Sequence, residues 1–266
     1  MLPPLPISPP AMGLGLQHQL FARRALVVYP PQKATADSQG EVEADDGHRY
    51  YIKGDAHGKS VRASEWICTH LAEDIGIGAP APAIIQLTDG TTVFGSRRIA
   101  GVADEAITSA YLTTPTVGNL AVPASGLTGV LSSIYALDMF TNNDDRHLGN
   151  YLSVDDNGVR RLYSFDFSRA LFWNGISLGL PVPGANTRTF GAILRRLHGF
   201  DHPAATVTLD RLSSLTPNAI ERFINRMPAD WLVEPAKSEF LTWWGDGRRQ
   251  ARIDAIRKGV KDGSCL

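Results

Sequence analysis

Cysteine is nearly missing from this chain. Cys68 and Cys265 are the only two among 266 residues, too few for a disulfide framework or a thiolate metal cluster, so a reducing cytoplasm is the expected setting. No apolar run nears the roughly 20 residues that span a bilayer. The N-terminus has no charged region leading into an apolar stretch, so neither a membrane role nor export is expected. An excess of one charge is missing as well: 26 Lys+Arg against 27 Asp+Glu leave a net −1, which argues against a globally basic nucleic-acid binder, and no direct nucleic-acid contact is expected. A glycine-rich phosphate loop is also lacking. Gly54-Asp55-Ala56-His57-Gly58-Lys59-Ser60 has the composition of a P-loop, but that motif needs four residues between its first glycine and Gly-Lys-Ser, and here only three separate Gly54 from Gly58. Two readings of this stretch stay open: backbone amides at Gly54 and Gly58 that contact phosphate where a helix opens, or a plain connection.

What is present fits one sizeable globular domain, or two parts sharing an interface. Residues 1–20 carry Pro3, Pro4, Pro6, Pro9 and Pro10 and read as a tail or extended arm. Ala25 to Tyr29 reads as a strand closed by Pro30-Pro31, and the polar, acidic stretch from Lys33 to Gly47 comes after it. Arg49 to Lys53 is a second strand. Val61 to Ile75 is a helix whose stripe of Ala63, Ile67, Leu71 and Ile75 packs inward, with Glu65 off that stripe and Gly76 as its stop. Ala83–Leu87 and Thr91–Phe94, joined through Thr88-Asp89-Gly90, form a hairpin. Ile99 to Val102 then reads as a hinge.

The chemistry concentrates further on. Leu127, Val130, Leu131, Ile134 and Leu137 recur at helical steps, so one face is buried and the helix holds the polar run at its C-terminal end in place. That run, Asn142-Asn143-Asp144-Asp145, breaks the helix, because short polar side chains compete for backbone hydrogen bonds. Asn150–Val154 and Val159–Phe165, joined by Asp155-Asp156-Asn157-Gly158, then form a hairpin. A chain that returns through a tight turn ends beside its start, so Asn150 and Asp166, 166 − 150 = 16 positions apart, should lie side by side. One amide oxygen and one carboxylate there suit Mg²⁺, a hard cation that takes oxygen ligands and substrate phosphates. Asp145 is left free to act on a hydroxyl nucleophile. The stretch reads as a phosphoryl-transfer centre.

Asp145-Arg146-His147-x-x-Asn150 followed by Phe165-Asp166-Phe167-Ser168 resembles the catalytic and metal-binding loops of the phosphoinositide-kinase-like and HipA-like kinases. The HipA-like branch is the nearer one, because Asp46 to Gly54, with the strand lysine Lys53 as its next-to-last residue, precedes a helix with Glu65 and then Gly76-x-x-x-Pro80. The resemblance spans roughly residues 24–170. It implies an α+β, bilobal, protein-kinase-like fold: a β-rich small lobe with one helix over 21–102 and a larger, mainly helical lobe over 103–266. It further implies ATP and Mg²⁺ as cofactors, Lys53 paired with Glu65 and contacting phosphate, and Asp145 acting on the acceptor hydroxyl. Arg146 and His147 would stabilise the loop or its charge, and Asn150 and Asp166 would hold the metal. A protein serine or threonine as acceptor, and an antitoxin-like partner protein, are implied by the same resemblance. A lipid or small-molecule kinase and a non-catalytic pseudokinase are the alternatives. Ser168, where Asp-Phe-Gly is familiar, narrows the conformations open to glycine and, with the absent glycine-rich loop, is the best support for the last of these. HipA-like kinases do not require that glycine, so the resemblance implies that Ser168 is tolerated rather than disabling. Thr189–Leu197 and the stretch opened by Thr216-Pro217 read as helices. Trp243 and Trp244 read as core, His198 and His202 as non-metal, and the arginines from Arg248 onward as a solvated helix face.

Overall fold

The structure is a computed structural model that describes residues 21–31, 38–116, 126–175 and 179–266. The proline-rich stretch 1–20, residues 33–37 of the polar, acidic stretch, and residues 117–125 and 176–178 lie outside them.

Period-two sequences in the first third pair into a five-stranded closed barrel: β1 (Arg23–Tyr29), β2 (Ser38–Ala44), β3 (Arg49–Lys53), β4 (Pro82–Gln86) and β5 (Thr92–Arg97), in the spatial order β1-β2-β3-β5-β4. The parallel pairing of Arg23 and Arg24 with Ile85 and Gln86 closes it. Val42, Ala44, Tyr50, Ile52, Ala83, Ile85 and Val93 fill its interior. Helix α1 (Val61–Asp74) interrupts the strands.

One face of α1 was expected to be buried, yet both are. Ser64, Glu65, Trp66, Cys68 and His70 are as inaccessible as the Ala63–Ile67–Leu71 stripe. The reason is that α1 lies between the barrel and the helical part: Trp66 Nε1 donates to the Phe223 carbonyl at 2.8 Å, and Arg62 pairs with both Asp55 and Asp230.

The remaining elements are α2 (Glu105–Thr113), α3 (Leu127–Thr141), a hairpin of β6 (Tyr151–Asp156) and β7 (Val159–Ser164), and five further helices: α4 (Asn186–His198), α5 (His202–Ser214), α6 (Pro217–Arg226), α7 (Ala236–Gly245) and α8 (Gly247–Asp262). The fold is thus mixed α/β, β-rich at its N-terminal end, with eight helices among the described residues. The expected hinge is laid along β6, where Val102 bridges to Val154 and Ala103 N–H donates to the Ser153 carbonyl. Thr216 caps α6 by accepting from Ala219 N–H, with Pro217 in its first turn. Trp243 and Trp244 are buried with Phe140 and Phe240.

Two readings of individual positions change. Val130 is exposed rather than core. The basic face of α8 is not simply solvated either: Arg249 and Arg252 lie over the Trp244 and Trp243 rings at 5.1 and 4.7 Å, and Arg252 donates to the Phe140 carbonyl. No helix among the described residues is long and apolar enough to cross a membrane.

Candidate active site

Helix α3 ends where its sequence says it should. Asn142 takes a left-handed conformation (φ +52°) as its C-cap, the role for which Asn is tolerated after Gly. The chain then turns through 143–147 into a 3-10 turn at Leu148–Asn150 and the β6–β7 hairpin. Asn157 and Gly158, both at positive φ, build the two-residue turn that matches the strands' twist. The register Tyr151↔Ser164 places Asn150 opposite Phe165, whose N–H donates to the Asn150 carbonyl at 3.2 Å. Asn150 and Asp166 therefore stand at the open end of one hairpin.

Arg146 holds that end together. Its buried guanidinium bonds both oxygens of the fully buried Asp138, through Nε to Oδ2 at 2.8 Å and Nη2 to Oδ1 at 2.9 Å. It also donates to the carbonyls of Asn150 (3.0 Å) and Phe165. Burial alone would disfavour its charge, but Asp138 outweighs that and raises its pKa further. Arg146 also lies 4.9 Å from the Phe167 ring centre. Its place is beneath the loop, where it positions the residues that face outward. His147 caps the 3-10 turn, its Nδ1 accepting from Gly149 N–H at 3.1 Å, while Asn150 Oδ1 accepts from His147 N–H at 3.0 Å.

Lys53, at the end of β3, meets two carboxylates at once: Glu65 Oε1 at 2.5 Å and Asp166 Oδ1 at 2.7 Å. Burial works against both charges of the Lys53–Asp166 pair. For Asp166 the ammonium of Lys53 and the Ser168 hydroxyl outweigh burial and hold its carboxyl well below the usual carboxylate range. For Lys53 the two carboxylates outweigh it and raise its pKa. Burial pushes Glu65 up, opposed by Lys53 and by the backbone of Phe167. Ser168 Oγ donates to Asp166 Oδ1 at 2.7 Å, so this departure from glycine orients the aspartate. Among the described residues, the bonds that Asp166 makes to Lys53 and Ser168 fall on Oδ1. A second oxygen is left that, with the amide oxygen of Asn150, suits a hard cation; among the described residues no group of three or more His, Cys, Asp or Glu forms a metal site.

Asp145 accepts from Asn186 Nδ2 at 2.6 Å. Gly54 is buried under the Gln39 side chain, and Gly58 sits at φ +67° in open surroundings, so of the two only Gly58 is open to an approaching group. His198 is occupied by the Leu112 carbonyl and Thr116.

Three participants are not legible in the sequence as site residues. Asp138 carried a faint signal, a carboxylate inside an apolar helix, which is expensive unless paired. Thr187, whose hydroxyl accepts from Arg146 N–H at 2.9 Å and donates to the Asn143 carbonyl at 2.5 Å, and Asn186 carried none, since they reach the loop from 41 and 44 positions away.

A strand lysine tied to a helix glutamate and to the aspartate after a β-hairpin, beside an Asp-x-x-x-x-Asn loop, is the arrangement of a kinase-like fold. Residues 41–172 match the family described as HipA-like kinase. Among solved structures the chain is similar to the Helicobacter pylori proinflammatory kinase CtkA, at 13% identity and a TM-score of 0.56 over 89% of this chain and 97% of that one. This likeness is one of fold. HipA of Shewanella oneidensis MR-1, solved with HipB and its operator DNA, matches at 12% identity and a TM-score of 0.48 over 79% of this chain and 60% of that one. No curated protein matches.

Proposed function

We propose that the protein is an ATP-dependent kinase that phosphorylates a serine or threonine hydroxyl of a protein, with residues 21–102 and 103–266 acting as its two lobes. The observation that carries this reading is the double engagement of Lys53 by Glu65 and Asp166. Such a lysine is fixed, charged and aimed at the site where a nucleotide's phosphates would meet a metal. Mg²⁺, when bound at Asp166 and Asn150, neutralises phosphate charge. Lys53 contacts the phosphates, and on nucleotide binding exchanges part of its contact with Asp166 for them. Asp145, oriented by Asn186, positions the acceptor hydroxyl and takes its proton as the hydroxyl oxygen bonds to the γ-phosphorus of ATP and the bond from that phosphorus to the β–γ bridging oxygen breaks, with ADP as the leaving group. Arg146 and His147 hold the loop without touching substrate. The backbone of residues 99–102 is the proposed contact for adenine. The Ser168–Asp166 hydrogen bond favours turnover over a non-catalytic role. The match of residues 41–172 to the HipA-like kinase family is what supports a protein acceptor and an antitoxin-like partner.

Calorimetry tests the reading. ATP is expected to bind in the presence of Mg²⁺, and absence of binding with every divalent cation tried would remove it. Asp166→Asn takes a charge from the metal site, so Mg²⁺-dependent affinity and turnover are both expected to fall, while metal-free nucleotide binding changes little. Incubation with labelled ATP and a lysate identifies the acceptor, and label confined to lipids or metabolites would replace the protein acceptor by one of those.

A further inference from the structure

Five non-glycine residues have positive φ among the described residues, and two of them, Asp166 (+64°) and Leu171 (+42°), flank one short segment. Asn and Asp tolerate this region. A bulky residue in it is an outlier that persists only where surrounding bonds impose it. Leu171 is surrounded by such bonds. Its own N–H donates to the Thr141 carbonyl at 2.8 Å. The peptide groups on either side of it share one hydroxyl: Ser64 Oγ donates to the Ala170 carbonyl at 2.9 Å and accepts from Phe172 N–H at 3.3 Å. Ser64 is fully buried, lies on α1, and immediately precedes Glu65. Helix α1 thus grips the segment after the hairpin twice with consecutive residues, at Asp166 through Glu65 and Lys53, and at Leu171 through Ser64. The turn that precedes α1 meets the same segment at Trp173, which has Lys59 over its ring at 5.9 Å and His57 edge-on at 5.8 Å.

We propose that Ser64 is a positioning residue, which acts by holding the strained Ala170-Leu171-Phe172 backbone against α1 and thereby fixes Asp166 for its metal. The proposal rests on the kinase reading of Asp166. Without the Ser64 hydroxyl the Ala170 carbonyl and Phe172 N–H lose their shared partner, Leu171 relaxes toward negative φ, and the segment anchored by Asp166 loosens.

The test uses the full chain and two readouts, both taken well below the melting temperature of each variant. ATP affinity is measured by calorimetry with and without Mg²⁺. Tryptophan emission is measured under acrylamide quenching: Trp66, Trp231, Trp243 and Trp244 are buried and Trp173 is half-buried, so quenchable emission reports on this segment. In Ser64→Ala the Mg²⁺-dependent affinity is expected to fall about tenfold, the scale of buried hydrogen bonds lost, with metal-free affinity within about twofold. Quenchable emission is expected to rise, and that rise to vanish when Trp173→Phe is added. Ser64→Cys keeps the volume with a weaker donor and is expected to move both readouts the same way by less; it serves if Ser64→Ala does not fold. Wild-type values of both readouts in a folded variant, or equal loss of affinity with and without Mg²⁺, would overturn the proposal. Failure of the wild-type protein itself to bind ATP would instead overturn the kinase reading, and this inference with it.

Discussion

Asp145→Asn is expected to lower single-turnover phosphorylation by about 10²–10⁴-fold, the contribution of a positioned acid–base group, while ATP affinity stays near that of the wild type. The geometry separates the two quantities. Asp145 lies outside the hairpin that presents Asn150 and Asp166, and its side chain accepts from Asn186 on α4, whereas Lys53 pairs with Asp166. Asparagine keeps the size of the side chain and can still accept from Asn186, so the loop is not disturbed; what is lost is the basic oxygen. Quench-flow with labelled ATP, alongside calorimetry, measures both. If Asp145→Asn lost Mg²⁺-dependent binding while Asp166→Asn bound normally, the two roles would be reversed. Unchanged turnover in both variants would make the spacing of Asp145, Asn150 and Asp166 a coincidence and end the kinase reading.

The second large effect is on stability. Asp138→Ala leaves the buried Arg146 guanidinium without its carboxylate and Asn143 Nδ2 without its 2.8 Å acceptor. An uncompensated buried charge costs about 3–5 kcal/mol, which for a protein of this size lowers the melting temperature by roughly 10 °C. Removing both partners with apolar residues of similar shape, as in Asp138→Leu with Arg146→Met, is expected to recover most of that stability, since such replacements are often neutral. Turnover should not recover with it, because the carbonyls of Asn150 and Phe165 lose the donor that joins the two ends of the hairpin, at Asn150 and next to Asp166. Chemical denaturation of the single and double variants gives the stabilities. A cost below about 1 kcal/mol for Asp138→Ala would mean that water or a rearranged partner satisfies Arg146, and that the pair is not what holds the loop.

Much of this architecture is written locally in the chain. The helix stop at Asn142, the Asn157-Gly158 turn and the alternation on either side of it are short-range effects, set by side chains that compete for nearby backbone groups and by residues that tolerate positive φ. Together they bring Asn150 and Asp166 to one end of a hairpin. Lys53 and Glu65 were legible through a strand, a helix and their order. The sequence carried less about what surrounds them. A hydrophobic stripe on α1 implied one buried face, but burial of the opposite face, with Glu65 and Ser64 on it, depends on the barrel and the C-terminal helices closing over the same helix. The parallel closure of β1 against β4 likewise joins segments about 60 positions apart, with no local signal for it. Asn186 and Thr187 reach the loop at 143–146 from α4 for the same reason. Local propensity and turn chemistry determined that Asn150 and Asp166 would end one hairpin and that Lys53 and Glu65 would sit on a strand and the helix after it; only tertiary packing decided that Lys53 bridges two carboxylates, that Arg146 lies beneath the loop, and that a serine on α1 bonds the segment after Asp166. Those contacts join groups far apart in the chain, and a buried charge or hydroxyl acquires its partner only when the whole core has formed.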